Sequence, residues 1–241
     1  MIYLRIDKFL SNMGCGSRKE IKSYIKKGLV KVNGYILKSA STHIDENLDE
    51  VFLNGKQVFY EEHVYYLMNK PKNTICANED GFHKTVFSIM NKDDIRKDIH
   101  TVGRLDIDTT GLLIITNDGG FTHKVLSPKS NIYKKYLAII EGKLFENAKE
   151  ILKEGIFLEE ENIITKPAIL DIIDENKVEL SICEGKFHQV KRMIKSVGGE
   201  VIELKRLSIG GLELKKDLKE GEYIKVTKEE FKVIGGDVFG K

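Results

Sequence analysis

The sequence predicts an α+β protein, with a small α/β module at the amino end and a larger domain built on a mainly antiparallel mixed sheet. Two observations predict this fold class. Before Val64, two short amphipathic helices precede strand candidates that are joined by tight hairpin turns. After Val64, short apolar strand candidates are separated mostly by turns and by few helices. We therefore predict a first domain over residues 1–60 and a second over residues 64–235.

The composition is that of an ordinary globular protein. The chain has 241 residues, of which 41% are hydrophobic and 32% are charged. Arg5, Asp7 and Lys8 interrupt any apolar signal-peptide core, and no apolar run approaches the roughly 20 residues of a membrane span. The three cysteines, Cys15, Cys76 and Cys183, are too far apart for a zinc site and indicate reduced thiols. We expect a cytoplasmic protein without a bound metal.

Both predicted helices of the first domain have local sequence support. The first has apolar residues at the spacing i, i+3, i+4 and i+7 of a helix face: Ile6, Phe9, Leu10 and Met13. The second begins at Ser17, which forms a capping box with Glu20, and it ends at Gly28. Strands follow, with hairpin turns at Asn33-Gly34 and Asn54-Gly55.

Positive charge is concentrated in this first domain. The whole chain has a net charge of +2, but residues 1–38 hold nine basic and two acidic residues, a net charge of +7. Lys19, Lys22 and Lys26 lie three and four residues apart, so they share one helix face, and Arg18 precedes them. A helix face with this charge favours the binding of a polyanion such as nucleic acid, through charge attraction and the release of counterions.

The order of these elements resembles the S4 RNA-binding domain of ribosomal proteins and rRNA-modifying enzymes. The resemblance covers about the first quarter of the chain, from the first helix through the capped basic helix to the strand and turn at residues 29–34. It implies that Arg18, Lys19, Lys22 and Lys26 contact RNA phosphates, which positions the RNA without reading its sequence.

The second domain begins at Val64 and contains both strand and helix candidates. The predicted strands are 64–68, 74–77, 112–116, 136–140, 178–182 and 223–226. The predicted helices are 121–126, 146–153 and 189–197.

The densest motif of the chain lies at residues 103–113, Gly-Arg-Leu-Asp-Ile-Asp-Thr-Thr-Gly-Leu-Leu. It is a loop that runs directly into an apolar strand, and catalytic groups are common on loops that a rigid strand anchors. Three other segments belong with it: Lys70-Pro71, Lys134-Lys-Tyr-Leu137, and the run from Glu184 to Met193.

Together these motifs resemble the RsuA-like family of pseudouridine synthases, which carry an S4 domain and act on ribosomal RNA. The match runs from about residue 1 to about residue 230. It implies that Asp106 is the catalytic carboxylate and that Tyr136 stacks under the target uracil. It also implies that Lys191 is the basic partner of the nucleophile, with Arg192 as the alternative.

Pseudouridylation explains why so few residues suffice. Uracil is detached from C1′ of the ribose, turned and rejoined through C5, so no redox step, group donor or cofactor is needed. A carboxylate, here Asp106 by the resemblance, can attack either C1′ or C6, and the sequence does not choose between these routes. Arg104 suits a phosphate beside the extruded nucleotide, because a guanidinium binds phosphate in a bidentate fork. Lys70 and Arg192 complete the predicted RNA contacts.

The resemblance also implies a substrate. The motif around Asp106 and the run to Met193 look most like enzymes that modify one uridine of small-subunit 16S rRNA, uridine 516. Relatives with the same architecture act on large-subunit 23S rRNA. We expect a monomer that acts on rRNA within a small-subunit assembly intermediate.

Two other classes of protein compete with this interpretation. Asp106-Ile-Asp108-Thr109 matches the signature of magnesium-dependent phosphohydrolases, but that signature should end a buried parallel strand. A ribosome-associated RNA-binding protein without catalysis is the other alternative. We interpret His188 as structural, and Asp108 and Asp118 as turn or hydrogen-bonding residues.

Overall fold

The computed structural model describes residues 3–127, 129–235 and 238. It divides into two compact units: the chain up to Val64 together with Met90–Ile99, and Tyr65–Ile89 together with the chain from His100 onward. The sequence did not indicate that residues 90–99 group with the first unit. The predicted domain boundaries remain a prediction, and residues 1 and 2 of the first domain lie outside the described residues. Within the described ranges, no helix is both long and apolar enough to cross a membrane.

The part of the first unit that the structure describes contains two α-helices and six short strands. They are β1 (Tyr3–Arg5), α1 (Ile6–Asn12), α2 (Arg18–Lys26), β2 (Val30–Val32), β3 (Tyr35–Ile36), β4 (His43–Asp45), β5 (Val51–Leu53) and β6 (Lys56–Val58), with a 3₁₀ helix at Lys92–Asp94. An antiparallel sheet has the order β3-β2-β5-β6, and β1 pairs with β4.

Local sequence features of the first unit have the predicted structure. The apolar stripe of α1 is buried, with Ile6 and Leu10 fully inaccessible. The Ser17 hydroxyl accepts a hydrogen bond from the Glu20 N–H (3.3 Å), and the Glu20 carboxylate accepts one from the Ser17 N–H (2.8 Å), which confirms the capping box. Asn33 has φ 50° and Gly34 has φ 83°, as a two-residue hairpin turn requires.

The second unit contains three α-helices and thirteen strands among the described residues. They are β7 (Tyr65–Lys70), β8 (Thr74–Ile75), β9 (Lys84–Thr85), β10 (His100–Thr101), β11 (Thr110–Thr116), α3 (Gly119–Leu126), β12 (Lys134–Gly142), α4 (Ala148–Glu154), β13 (Phe157–Leu158), β14 (Ile163–Ile164), β15 (Ile169–Asp174), β16 (Lys177–Ile182), α5 (Gln189–Ser196), β17 (Gly199–Ile209), β18 (Leu212–Glu213) and β19 (Tyr223–Val226), with 3₁₀ helices at Val86–Ile89 and Lys228–Ile234.

The main sheet of this unit has the order β15-β16-β12-β17-β11-β7-β19. In addition, β10 pairs with β11, and β18 pairs with β17. Its strands pair antiparallel except for β11 and β17, which run parallel. This confirms the predicted α+β class with a mainly antiparallel mixed sheet. One buried apolar cluster packs α4 and α5 against β12, β16 and β17, and a second packs α3 and the last 3₁₀ helix against β7 and β11.

The longest strand, β17, was absent from the sequence prediction. Its eleven residues include Arg206, which is only 4% exposed, so a charge stands where the pattern of a buried strand requires an apolar residue. Two register irregularities with β12 also break the alternation of buried and exposed side chains.

Gly111 shows why the motif of residues 103–113 contains a glycine at the start of β11. A Cβ atom at this position would lie 2.3 Å from the Arg206 carbonyl oxygen and 2.6 Å from its nitrogen. The residue also has φ +104°, which disfavours any side chain. Glycine therefore permits the close approach of β11 and β17.

Candidate active site

Asp106 lies in the loop between β10 and β11. The Asp106 carbonyl accepts a hydrogen bond from the Thr109 N–H (3.1 Å), which closes a turn directly before the strand. Its carboxylate is 31% exposed. Leu105, the preceding residue, is buried in the same apolar cluster as Tyr136. The loop therefore presents a partly shielded carboxylate while its neighbour is anchored in the core.

Lys70 is not the RNA contact that we predicted. The side chain at the end of β7 is completely buried, and its ammonium donates hydrogen bonds to the carbonyls of Thr109 (2.9 Å), Pro71 (3.1 Å) and Ile107 (3.5 Å). Burial lowers the pKa of Lys70, and the nearby acidic groups only partly oppose this effect. The Ile107 and Thr109 carbonyls belong to the backbone that follows Asp106. Lys70 therefore holds this part of the loop in place from a buried position.

Further hydrogen bonds fix the same loop on both sides of Asp106. The Asn73 N–H donates to the Ile107 carbonyl (2.8 Å). The Leu105 N–H donates to the Cys76 sulfur (3.4 Å), and the Cys76 thiol lies 3.7 Å from the Leu105 carbonyl. Burial raises the pKa of Cys76, so the thiol stays protonated and can donate. The backbone that carries Asp106 is thus held from several directions.

Helix α5 brings a cation to this carboxylate. Lys191 Nζ lies 3.9 Å from Asp106 Oδ2, and it lies 2.7 Å from both carboxylate oxygens of Asp108. Partial burial opposes ionisation of Asp108, but the hydrogen bond and charge of Lys191 outweigh it and lower the pKa of Asp108. Asp108 is therefore a hydrogen-bonding residue, as we interpreted it, and its partner is Lys191.

His188 lies closer to the carboxylate than its interpretation as a structural residue suggested. Its Nε2 is 3.7 Å from Asp106 Oδ2, and the residue has a left-handed backbone with φ 48° just before α5 begins. The Phe187 ring stacks on the imidazole with a centroid distance of 3.8 Å. The sequence placed His188 in the right motif, but only the strained backbone and the chain fold direct it toward Asp106.

Arg192 is not the partner of Asp106. Its guanidinium forms a two-pronged ion pair with Glu161, with both N–O distances at 2.8 Å, and it also donates to the Phe187 carbonyl (3.2 Å). The alternative to Lys191 is therefore wrong, because the adjacent residue on a helix points in another direction. With its donors bound to Glu161, Arg192 supports the segment before α5, and the structure does not favour the predicted RNA contact.

Tyr136 belongs to a group of three buried polar or charged side chains on one face of the sheet. Tyr136 on β12 pairs directly with Arg206 on β17, so the two side chains point the same way, and Lys134 lies two residues earlier on β12. Tyr136 is 8% exposed, Lys134 is 6% exposed and Arg206 is 4% exposed. Burial, reinforced by repulsion from Arg206, lowers the pKa of Lys134 to about 8.

The remaining predicted residues lie at the surface or in a turn. Arg104 is exposed in the loop two residues before Asp106. Asp118 accepts a hydrogen bond from the Phe121 N–H (2.9 Å) and caps α3, which agrees with its interpretation as a turn or hydrogen-bonding residue. In the first unit the basic residues of α2 are exposed, namely Arg18, Lys19, Lys22 and Lys26.

Comparison with known proteins defines the class of protein to which this fold belongs. The family model described as RNA pseudouridylate synthase matches residues 64–196, and the model of the S4 domain matches residues 4–49. The chain therefore belongs to the RNA pseudouridylate synthase family, with an S4 domain at its amino end. It is an isomerase that acts on RNA.

Individual relatives match over nearly their whole length. The chain is 39% identical to an uncharacterised RNA pseudouridine synthase of Bacillus subtilis, with 96% of this chain and 98% of the relative covered. It is 39% identical to ribosomal small subunit pseudouridine synthase A of Haemophilus influenzae (94% and 97% covered) and 37% identical to that of Escherichia coli (94% and 98%). A crystal structure of a pseudouridylate synthase is 38% identical, with a TM-score of 0.67 and coverage of 96% and 100%.

The phosphohydrolase alternative is wrong on both fold and position. Asp106 precedes β11, whereas the phosphohydrolase nucleophile follows a buried parallel strand. The strand before the loop, β10, is a two-residue segment that pairs antiparallel with β11.

Proposed function

We propose that this enzyme converts a single uridine of small-subunit 16S rRNA, uridine 516, to pseudouridine with Asp106 as the nucleophile. The relatives named ribosomal small subunit pseudouridine synthase A, at 37–39% identity over nearly their whole length, support this substrate. In this proposal the enzyme works in the cytoplasm as a monomer, without a cofactor, and its substrate is rRNA in a small-subunit assembly intermediate.

The observation that carries the proposal is the position of Asp106. Its carboxylate lies 3.9 Å from Lys191 Nζ and 3.7 Å from His188 Nε2, on a loop whose flanking carbonyls are bound by Lys70 and Asn73. Lys191 therefore places a positive charge beside the carboxylate that acts as nucleophile in this proposal. A fixed backbone keeps that carboxylate in the attacking geometry.

The other site residues have complementary roles in the proposal. The target uridine leaves its stack at a cost of a few kcal/mol, which stacking on an aromatic side chain such as Tyr136 partly offsets. Arg104 is exposed beside the loop and binds a backbone phosphate of the extruded nucleotide. Asp106 then attacks C1′ or C6, the glycosidic bond breaks, and the turned base rejoins the ribose through C5.

The test compares wild type with Asp106→Asn on 16S and 23S rRNA, each as naked RNA and as assembly intermediates. Pseudouridine is mapped chemically at single-nucleotide resolution. We expect one new pseudouridine with wild type and a loss of roughly 10⁴-fold or more in the rate with Asp106→Asn, because the amide is nearly isosteric but cannot attack. RNA binding and the unfolding temperature of the variant should match wild type.

Other outcomes would redirect the proposal in definite ways. Turnover by Asp106→Asn would contradict the assignment of the nucleophile. A pseudouridine only in 23S rRNA would move the substrate to the large subunit. RNA binding without any modification would favour the alternative of a ribosome-associated binding protein.

A further inference from the structure

Lys134 and Arg206 are two cations that are buried side by side with unused hydrogen-bond donors. Lys134 is 6% exposed, and its ammonium has no hydrogen-bond acceptor among the described residues. Arg206 is 4% exposed; its Nε donates to the Leu112 carbonyl (2.7 Å), but its buried Nη2 has no partner in the described part of the chain.

The charges that act on Lys134 do not neutralise it. The groups whose charge acts on Lys134 are Arg206 on β17, Cys183 just after β16, and Lys166 after β14. Two of these are cations, and none is a carboxylate. Burying a charge without a partner costs several kcal/mol. Such an arrangement is retained where an anion or a developing negative charge completes it.

The position of the pair indicates where that negative charge develops. Arg206 pairs directly with Tyr136 across the strands, and Lys134 is the next residue along β12 on the same face. Tyr136 is the proposed platform for the extruded uracil. The two cations therefore border the surface on which the base rests.

We propose that Lys134, supported by Arg206, stabilises the electron density that is displaced onto the carbonyl oxygens of the uracil during isomerisation. The inference rests on the proposed function and adds an electrostatic role on the side of the base, whereas Lys191 acts on the side of the nucleophile. Arg206 contributes a second positive charge near Lys134.

Both routes of attack place negative charge on the base. If an Asp106 oxygen bonds to C1′, the C1′–N1 bond breaks and its electron pair goes to N1, delocalised over O2 and O4. If the oxygen bonds to C6 instead, the C5–C6 π electrons move to O4. On this second route the C1′–N1 bond must still break before the base can turn. On either route C5 then bonds to C1′, the bond to the Asp106 oxygen breaks and releases the carboxylate, the C5 proton leaves to a base or water, and N1 takes up a proton. A buried cation beside the carbonyl oxygens lowers the energy of the charged intermediate.

The experiment measures single-turnover pseudouridine formation at saturating RNA, on whichever rRNA the wild type modifies, from about pH 6 to about pH 10. The variants are Lys134→Met, which removes the charge but keeps the length, and Lys134→Arg, which keeps the charge. Lys135→Met is the matched control, because this adjacent lysine is 43% exposed and pairs with Glu179 (3.1 Å). RNA dissociation constants and unfolding temperatures are measured for all four proteins.

We expect Lys134→Met to lower the rate at saturation about 10²- to 10³-fold with unchanged RNA affinity. The wild-type rate should fall as the pH rises through about 8, where Lys134 loses its proton. Lys134→Met should lack this fall. Lys134→Arg should restore much of the rate and keep it at higher pH, since a guanidinium stays protonated. Lys135→Met should behave as wild type.

The stability readout separates catalysis from a structural role. Since Lys134 is a buried cation without a partner, Lys134→Met should unfold at the same or a higher temperature than wild type. A Lys134→Met protein with the wild-type rate would overturn the inference. So would a rate loss that comes with destabilisation and that Lys134→Arg does not restore. A wild type that makes no pseudouridine would contradict the proposed function itself, which is a different measurement.

Discussion

Lys191 is shared by two carboxylates at unequal distances. It lies 2.7 Å from both oxygens of Asp108 and 3.9 Å from the nearer oxygen of Asp106. Asp108 therefore fixes the ammonium in place, while Asp106 keeps one side open toward a substrate. This arrangement places the cation beside Asp106, the proposed nucleophile, without a short ion pair between the two side chains.

We expect Lys191→Met to lower the rate of pseudouridine formation about 10²- to 10³-fold, because two neighbouring carboxylates would lose their shared cation. Lys191→Arg should retain much of the activity. The measurement is the single-turnover rate at saturating RNA. Lys195→Met is the control, since this lysine is exposed on the same helix. A larger loss in Arg192→Met than in Lys191→Met would contradict the assignment of the partner.

The sequence identified part of this site and missed another part for a physical reason. Asp106 and Lys191 stand in compact motifs, so their residue types and neighbours were informative. Arg206 has no such motif, and it joins Tyr136 only through the register of β12 and β17. His188 depends on a left-handed backbone conformation that residue type does not determine. Lys70 looked like a surface lysine because nothing local shows that its acceptors are carbonyls of a distant loop.

At the level of elements, the parallel contact between β11 and β17 positions the site. β11 begins directly after the Asp106 loop, and β17 carries Arg206. Gly111 on β11 pairs with Arg206, so the two halves of the site meet at this point of the sheet. The two strands can approach this closely because Gly111 has no side chain.

We expect Gly111→Ala to destabilise the protein by about 2–5 kcal/mol, because its Cβ would clash with the Arg206 backbone and its φ is strained. Urea unfolding measures this difference. Gly119→Ala is the control, since no atom lies within 4 Å of a Cβ there and the residue begins α3. It should be neutral or stabilising by up to about 1 kcal/mol. Equal stability of both variants would contradict the role of Gly111 as the contact point.

Elements with local determinants were predicted well, and those with long-range determinants were not. The capping box predicted the start of α2, and the Asn-Gly pairs predicted both hairpin turns. α5 was predicted from residue 189 and begins there. β17 has no such marker, since its pattern is interrupted by bulges and by a charged residue whose burial depends on its neighbours in the sheet.

At the level of the whole molecule, the net charge of +2 conceals a strongly basic amino end. Lys19, Lys22 and Lys26 are exposed on α2, and no described residue forms an ion pair with them. Their charge is therefore available to RNA. We expect the S4 domain, through these lysines, to contribute to the affinity and placement of the RNA.

Replacing these three lysines with glutamine should weaken RNA binding and reduce the salt dependence of binding. Each lost phosphate contact lowers the slope of log K against log salt by about 0.7 to 0.9, so three give roughly two to three units. The measurement is the RNA dissociation constant over a salt series. Lys149→Gln and Lys153→Gln on α4 serve as a control of similar charge. An unchanged slope would contradict the RNA-binding role of α2.

The order of strands in the main sheet has a consequence for biosynthesis. β7 is synthesised before both of its neighbours in the sheet, β11 and β19. The other neighbour of β11 is β17, which is synthesised later still. The sheet is therefore completed only when Tyr223–Val226 has been translated. The S4 domain contains mostly local pairings and can fold while the rest is still being made. A nascent chain thus acquires an RNA-binding surface well before it acquires a catalytic one.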